Sequence, residues 1–218
     1  MPSSSNLDAL LKSKPKTPRG ERTLGSLCDV AESLFAEKSY YSASVSEIVA
    51  EAGISVGTFY IYFPDKLSVY RYVLMRLGHR IRKFIATRLI SMNLQDRSEM
   101  EREGIKAFLD FCVDHPSAFS IVWQSLFVAP DLFIAYYDDF SRQYQGRLQQ
   151  AADAGEIQPL DLEVVSYALM GITNFLALKY TLFAQPQKIN DAELYRVVDQ
   201  ILRILKSGLY IQSQEDGD

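Results

Sequence analysis

Between residues 44 and 66 the chain carries a group of side chains able to donate hydrogen bonds to an anion: Ser44, Thr58, Tyr60, Tyr62 and Lys66, with Gly57 among them. A phenol donates through its hydroxyl and packs flat against a sugar, so this set suits phosphate and base contacts better than bond-making. Bond-making is poorly provided for. The chain has 2 histidines, His79 and His115. Cys112 and His115 share a helix face, yet no second His/Cys pair exists to complete a four-ligand site. Asp138 and Asp139 adjoin on a polar face and read as solvated charges. No glycine-rich phosphate loop or nucleophile elbow occurs. No catalytic residue, metal or cofactor is assigned, and an enzyme is not expected.

The elements that position these residues are set by periodicity and capping. From Glu21 to Lys38, Leu24, Leu27, Cys28, Ala31, Leu34 and Phe35 recur at three and four, one face of an amphipathic helix. "SYYSAS" interrupts it. Ser44 with Glu47 forms a capping box that opens a second helix. Gly53 stands where a helix-ending residue with positive φ belongs, and Ser55 caps the next segment. "TFYIYF" is strand-like by propensity, but two caps and a glycine within twelve residues describe helix, tight turn, helix. A helix from Val56 buries Phe59 and Phe63 and leaves Thr58, Tyr60 and Tyr62 on or near its outer side. Pro64 and Asp65 then start a long helix. Ser98 with Glu101 gives a further capping box, and Gly155 stops a later helix. No convincing strand is found. The expected fold is all-α: a three-helix helix-turn-helix domain at residues 19–66, a larger helical bundle at 67–212, about nine helices altogether, no repeats. Residues 1–18 are expected to be a mobile basic arm and 213–218 a frayed tail. Lys12, Lys14, Lys16 and Arg19 of the arm either track a phosphate backbone or merely keep the tail solvated.

With 218 residues and a mean hydropathy of −0.06, the chain is long and apolar enough for a real core. The 2 cysteines lie far apart in helical patterns, which argues against a disulfide framework and for a reducing cytoplasm. No signal peptide is read at the start, and no stretch reaches the roughly 18 uncharged apolar residues of a membrane span. The net charge of −4 hides an asymmetry: residues 1–90 hold 13 Lys+Arg against 8 Asp+Glu, while residues 91–218 hold 10 against 19. One end of the chain is thus suited to a polyanion.

"AESLFAEKSYYSASVSEIVAEAGISVGTFYIYFPDKLSVY", within Leu24–Leu74, resembles the tetracycline-repressor (TetR) family of transcriptional regulators. Its anchors are Ile48, Ala52, Gly53, Ile54, Ser55, Gly57, Thr58, Phe59, Tyr60, Tyr62, Phe63 and Lys66. Val49 replaces a usual alanine, and Val56 a common lysine or arginine. The resemblance implies a homodimer that places the Val56–Phe63 helix in successive major grooves of a palindromic operator, about 34 Å apart. It also implies Ser44, Tyr60, Tyr62 and Lys66 as phosphate anchors, with Val56, Gly57 and Thr58 at the base edges. The methyls of Val56 and Thr58 suit a thymine methyl.

A regulator needs an input. The aromatic-dense segment from Phe108 to Tyr180 either fills a core or lines a cavity for a flat aromatic compound or an acyl chain. Trp123, Gln124, Tyr167, Met170 and Asn174 are the candidate ligand residues. "FVAPDLFIAYYDDFSRQYQGRL" looks similar to family members that regulate lipid metabolism, which points to a fatty acyl or acyl-CoA effector. Apolar stripes at Leu162, Val165, Leu169, Ile172 and Leu176, and at Val198, Ile201 and Leu205, either form a four-helix dimer interface or pack within one protomer. The resulting expectation is a cytoplasmic repressor with three partners: duplex DNA, a small apolar or amphipathic effector and a second copy, with no membrane. The alternative is a DNA-binding or interaction dimer without an effector.

Overall fold

A computed structural model describes residues 7–94, 96–183 and 189–207. The expected tail at 213–218 and the first six residues of the arm lie outside these. Among the described residues the fold is nine helices and no strand. They are α1 (Pro18–Ser42), α2 (Val45–Glu51), α3 (Val56–Tyr62), α4 (Lys66–Met92), α5 (Arg97–Asp114), α6 (Pro116–Val128), α7 (Pro130–Asp153), α8 (Leu162–Thr181) and α9 (Asp191–Ser207).

Local chemistry sets these boundaries. Thr17 caps α1 by accepting from the Gly20 amide, and Pro18 occupies the first turn, where its missing N–H costs nothing. Gly53 at φ 64° turns the chain out of α2, and Gly155 at φ 71° does so after α7. Ser55 accepts from the Thr58 amide to start α3. The capping box expected at Ser98 and Glu101 is displaced: Asp96 caps α5 by accepting from Glu99 N. Likewise Asp65, accepting from the Ser68 amide, caps α4, so Pro64 precedes that helix instead of lying inside it.

The chain forms two compact units. One unit runs to Arg82 and continues through His115–Leu169, so α1 to α3 share a body with α6 and α7. Its core includes Leu27, Phe35, Ile48, Phe59, Phe63, Tyr70, Leu77, Phe119 and Ile121, all essentially sealed from solvent. Arginines of α4 face acids of α1 and α7: Arg76 meets Asp29 and Glu32, Arg80 meets Glu32, and Arg71 forms two parallel bonds of 2.7 and 2.8 Å with Asp131.

The second unit comprises Lys83–Asp114 and the chain from Met170 onward. Here the buried Lys106 donates to Asp110 and Asp191, each at 2.6 Å, and lies 4.5 Å from the Tyr195 ring centre. Burial works against its ammonium, but the two carboxylates outweigh it and raise the pKa above the ordinary lysine value. Arg102 pairs with Asp199 at 2.7 Å, so α5 and α9 are joined by charge as well as by apolar contact.

Helix α8 is long and apolar. By length and composition it could cross a membrane, although Glu163 and Lys179 interrupt its apolar run. Its outer face, at Val164, Ala168, Gly171 and Phe175, is exposed.

A candidate nucleic-acid interface and its connections

Helix α3 presents a small apolar face. Phe59 and Phe63 are buried as expected, while Val56, Gly57, Tyr60 and Ile61 point to solvent, Tyr60 being 44% exposed. Near Gly57 an added Cβ would meet only the Ser55 hydroxyl at 3.7 Å, so nothing in the protein crowds this backbone and a partner can approach it. Thr58 is half-buried, and its hydroxyl lies 2.9 Å from that of Ser55. Ile61 is absent from the residues that the sequence singles out. It lies four residues after Gly57, one turn along the same face, and that spacing is the signal that could have found it.

Three expected phosphate anchors are occupied by the protein itself. Tyr62 is only 7% exposed, and its hydroxyl donates to the Gly20 carbonyl at 3.2 Å. The expectation that it lies on the outer side is therefore corrected: α3 is short, and the chain before α1 folds back over its end. Lys66 also has partners within the protein. Its ammonium donates to the carbonyls of Tyr40 and Ala43, both at 2.8 Å, and sits 4.3 Å from the centre of the Tyr40 ring. The Ser44 hydroxyl donates to Glu47 at 2.8 Å and accepts from the Glu47 amide, so its single proton is committed within the capping box.

The same Glu47 carboxylate accepts from Lys38 at 2.8 Å, tying α2 to α1. The lysine hydrogen bond, then those from Ser44, lower the Glu47 pKa from 4.5 to about 2.

The join between α1 and α2 is built around a break. Ser39 adopts φ 67° inside α1, a left-handed conformation costly for a residue with a Cβ. Both backbone groups of the next residue, Tyr40, find side-chain partners. Gln124 of α6 accepts from Tyr40 N at 3.1 Å and donates to Phe35 O at 3.0 Å, while Lys66 takes the Tyr40 carbonyl. Gln124, expected to face a ligand, is thus a clamp on the join between α1 and α2. Tyr70 adds a buried bond from its hydroxyl to Ile121 O at 2.9 Å. Nothing in the sequence signals these long-range ties, because each pairs a side chain with a distant main-chain group.

A groove of about 560 Å³ opens between α4 and α7. Leu74, Met75, Gly78, His79 and Arg82 line it from α4, and Leu132, Ala135, Tyr136, Asp139 and Arg142 from α7. Arg82 pairs with Asp139 at 3.4 Å. His79 Nε2 is buried with no hydrogen-bond partner among the described residues. Desolvation, and then the nearby Arg82, lower its pKa, favouring the neutral imidazole. Gly78 lets α7 come close, since an added Cβ would lie 3.3 Å from the Tyr136 ring.

The expected ligand residues are placed elsewhere. Trp123 is half-buried among Phe119 and Phe133, with its indole N–H unpartnered among the described residues. Tyr167 is 41% exposed and donates to Asp138 at 2.6 Å. Met170 and Asn174 belong to the second unit, where the Asn174 amide bonds to the Met170 carbonyl one turn back. The expected dimer stripes are also redistributed. Leu169, Val198 and Ile201 are buried within the protomer and cannot meet a partner. Leu162, Val165, Ile172 and Leu176 are half-buried, and Leu205 is exposed. The physical reason is that α8 is apolar all round, so periodicity alone does not say which face turns inward.

Comparison with known proteins agrees with the helix-turn-helix geometry. Residues 27–73 match the model for bacterial regulatory proteins of the tetR family. The HTH-type transcriptional activator FasR of Mycolicibacterium smegmatis is 28% identical over 113 residues, which cover 52% of this chain and 50% of FasR. The HTH-type transcriptional regulator EthR of Mycobacterium tuberculosis is 32% identical over 111 residues, 47% of this chain and 51% of EthR. The chain thus spans about half the length of these curated relatives. Among solved structures, the transcriptional regulator FadR of Bacillus subtilis, in complex with stearoyl-CoA, superposes with a TM-score of 0.72 at 19% identity. That match covers 85% of this chain and 99% of FadR, and it shows a shared fold. With α1 to α3 built as a capped helix-turn-helix and the family match running through them, residues 27–73 are similar to the helix-turn-helix segment of bacterial regulatory proteins of the tetR family.

Proposed function

We propose that the protein is a dimeric, ligand-responsive repressor that binds a palindromic operator through α3 and is released by an amphipathic anion such as a long-chain acyl-CoA. The observation that carries this reading is the continuity of α4. Its first residue, Lys66, holds the Tyr40 and Ala43 carbonyls beside the reading head, and its later turns line the groove against α7. A ligand wedged between α4 and α7 shifts α4, and the reading head moves with it. Coupling of about 1–3 kcal/mol suffices for a useful switch.

The groove has the right chemistry for such a ligand. Leu74, Met75, Leu132 and Ala135 supply an apolar wall, and Arg142 and His79, whose Nε2 has no partner among the described residues, supply polar groups for an anionic head. The stearoyl-CoA complex of FadR supports the choice of ligand class. For the dimer, the supporting feature is the exposed α8 face: Val164 is 63% and Phe175 66% exposed, with Ala168 and Gly171 between them allowing close approach. The setting is the cytoplasm, where operator DNA lies, and no enzymatic activity is proposed.

Selection from random duplexes tests the DNA half of the proposal: an enriched palindrome is expected, and its absence would overturn it. Titrating stearoyl-CoA into the bound complex tests the other half. Release is expected from the wild type and impaired release from Arg142→Gln. No release by any acyl-CoA would favour the effector-free interaction dimer.

A further inference from the structure

Two groups of cations in this acidic chain stand in contrast. Those on α4 are largely spent inside the protein: Arg71, Arg76, Arg80 and Arg82 each face a carboxylate, and Lys66 faces two carbonyls. The reading helix α3 carries no charge at all. By contrast Lys12, Lys16, Arg19 and Arg22 are exposed and have no ion-pair partner among the described residues. Lys14 is excluded from this set because it pairs with Asp8 at 2.7 Å.

These four cations are not scattered on a loose tail. Lys12 N donates to the Tyr62 carbonyl at the end of α3, at 2.8 Å. The Tyr62 hydroxyl donates to Gly20 O, and an added Cβ at Gly20 would lie 3.2 Å from Pro15 Cβ and 3.3 Å from the Tyr62 hydroxyl. Residues 12–20 therefore wrap the Tyr62 side chain and bring the start of α1 to the end of the reading helix. That start adds the partial positive charge of a helix N-terminus. Glu21 is the one exposed acid in the first turn of α1.

We infer that this folded arm is a second DNA-contacting surface, in which Lys12, Lys16, Arg19 and Arg22 neutralise backbone phosphates flanking the half-site read by α3. The arm supplies the charge that α3 lacks, and Tyr62 is the post that positions it. The inference rests on the reading that α3 binds an operator.

The test is the triple variant Lys12→Gln, Lys16→Gln, Arg19→Gln in the full chain, compared with wild type on the selected operator across a salt series. All three side chains are exposed, so the thermal midpoint is expected to stay unchanged. Each phosphate contact contributes about 0.9 to the slope of log affinity against log salt, so the slope of a dimer is expected to fall by about two to five units. Hydroxyl-radical footprinting is expected to show protection lost at the outer flanks of both half-sites and kept at their centres. Superimposed slopes, or a lower slope with an unaltered footprint, would overturn the role of the arm. A wild type that binds no duplex would overturn the operator reading beneath it.

Discussion

The reading head and helix α8 use apolar residues in opposite ways. In the head, the phenylalanines Phe35, Phe59 and Phe63 are sealed, and the caps of α2 and α3 are satisfied by Ser44, Glu47 and Ser55. Helix α8 is far more apolar, yet Val164, Tyr167 and Phe175 face outward. A seven-residue helix cannot stand alone, so the head exists only through its core and caps. A twenty-residue apolar helix stands readily and has surface to spare for a partner. The difference teaches that exposed apolar area is small and local on α3 but extended on α8, which is why α8 is the face assigned to a partner in the proposed dimer.

The sharpest way to break this comparison is at the head core. Phe59→Ala is expected to cost about 3–5 kcal/mol in urea unfolding and to abolish duplex binding, as cavity-forming aromatic truncations do. A loss under about 1 kcal/mol would show that the head does not depend on its core. At α8, Phe175→Asp is expected to weaken self-association by about 2 kcal/mol or more, read by sedimentation velocity, while helicity is retained. A variant as tightly associated as wild type would remove α8 from the interface.

Lys66→Met tests whether this residue serves the fold or the phosphate. It is expected to cost about 2 kcal/mol through two lost charge-assisted bonds, with no change in the salt slope of DNA binding. A slope lowered by about one unit with stability intact would restore it as an anchor. Gln124→Ala is expected to cost about 1–2 kcal/mol, because Tyr40 N and Phe35 O lose their side-chain partner.

The smallest effect concerns pH. The Glu47 carboxyl titrates at about 2 in the folded chain against an ordinary 4.5. A depressed carboxyl stabilises the fold fully above its unfolded pKa and loses that contribution as pH falls from 4.5 toward 2. A side-chain carboxyl titration by NMR is expected to place Glu47 well below the other exposed glutamates. A midpoint near 4.5 would mean that the Lys38 bridge is absent in solution.

Much of the head is legible in the sequence. Ser44 with Glu47, Gly53 and Ser55 announce their helices because capping is local chemistry, decided within four residues. Spacing assigns Phe59 and Phe63 to the core, and the structure buries both. The errors cluster where a side chain meets something remote. Pattern places Tyr62 on the outer side, but its hydroxyl donates to Gly20 O, and Lys66, a phosphate anchor by resemblance, donates to the Tyr40 and Ala43 carbonyls. The arginines of α4 likewise find their carboxylate partners on α1 and α7, far away in sequence.

Residue order alone determined that this chain is helical, where most of its helices start and stop, and that α1 to α3 form a helix-turn-helix, because caps, glycines and periodicity act over a few residues. Tertiary structure decided which cations remain free, which face of α8 is left uncovered, and that the break at Ser39 is held by Gln124. Those outcomes depend on the distance between groups far apart in sequence, and an ammonium is available to DNA only if no carboxylate or carbonyl of its own chain has reached it first.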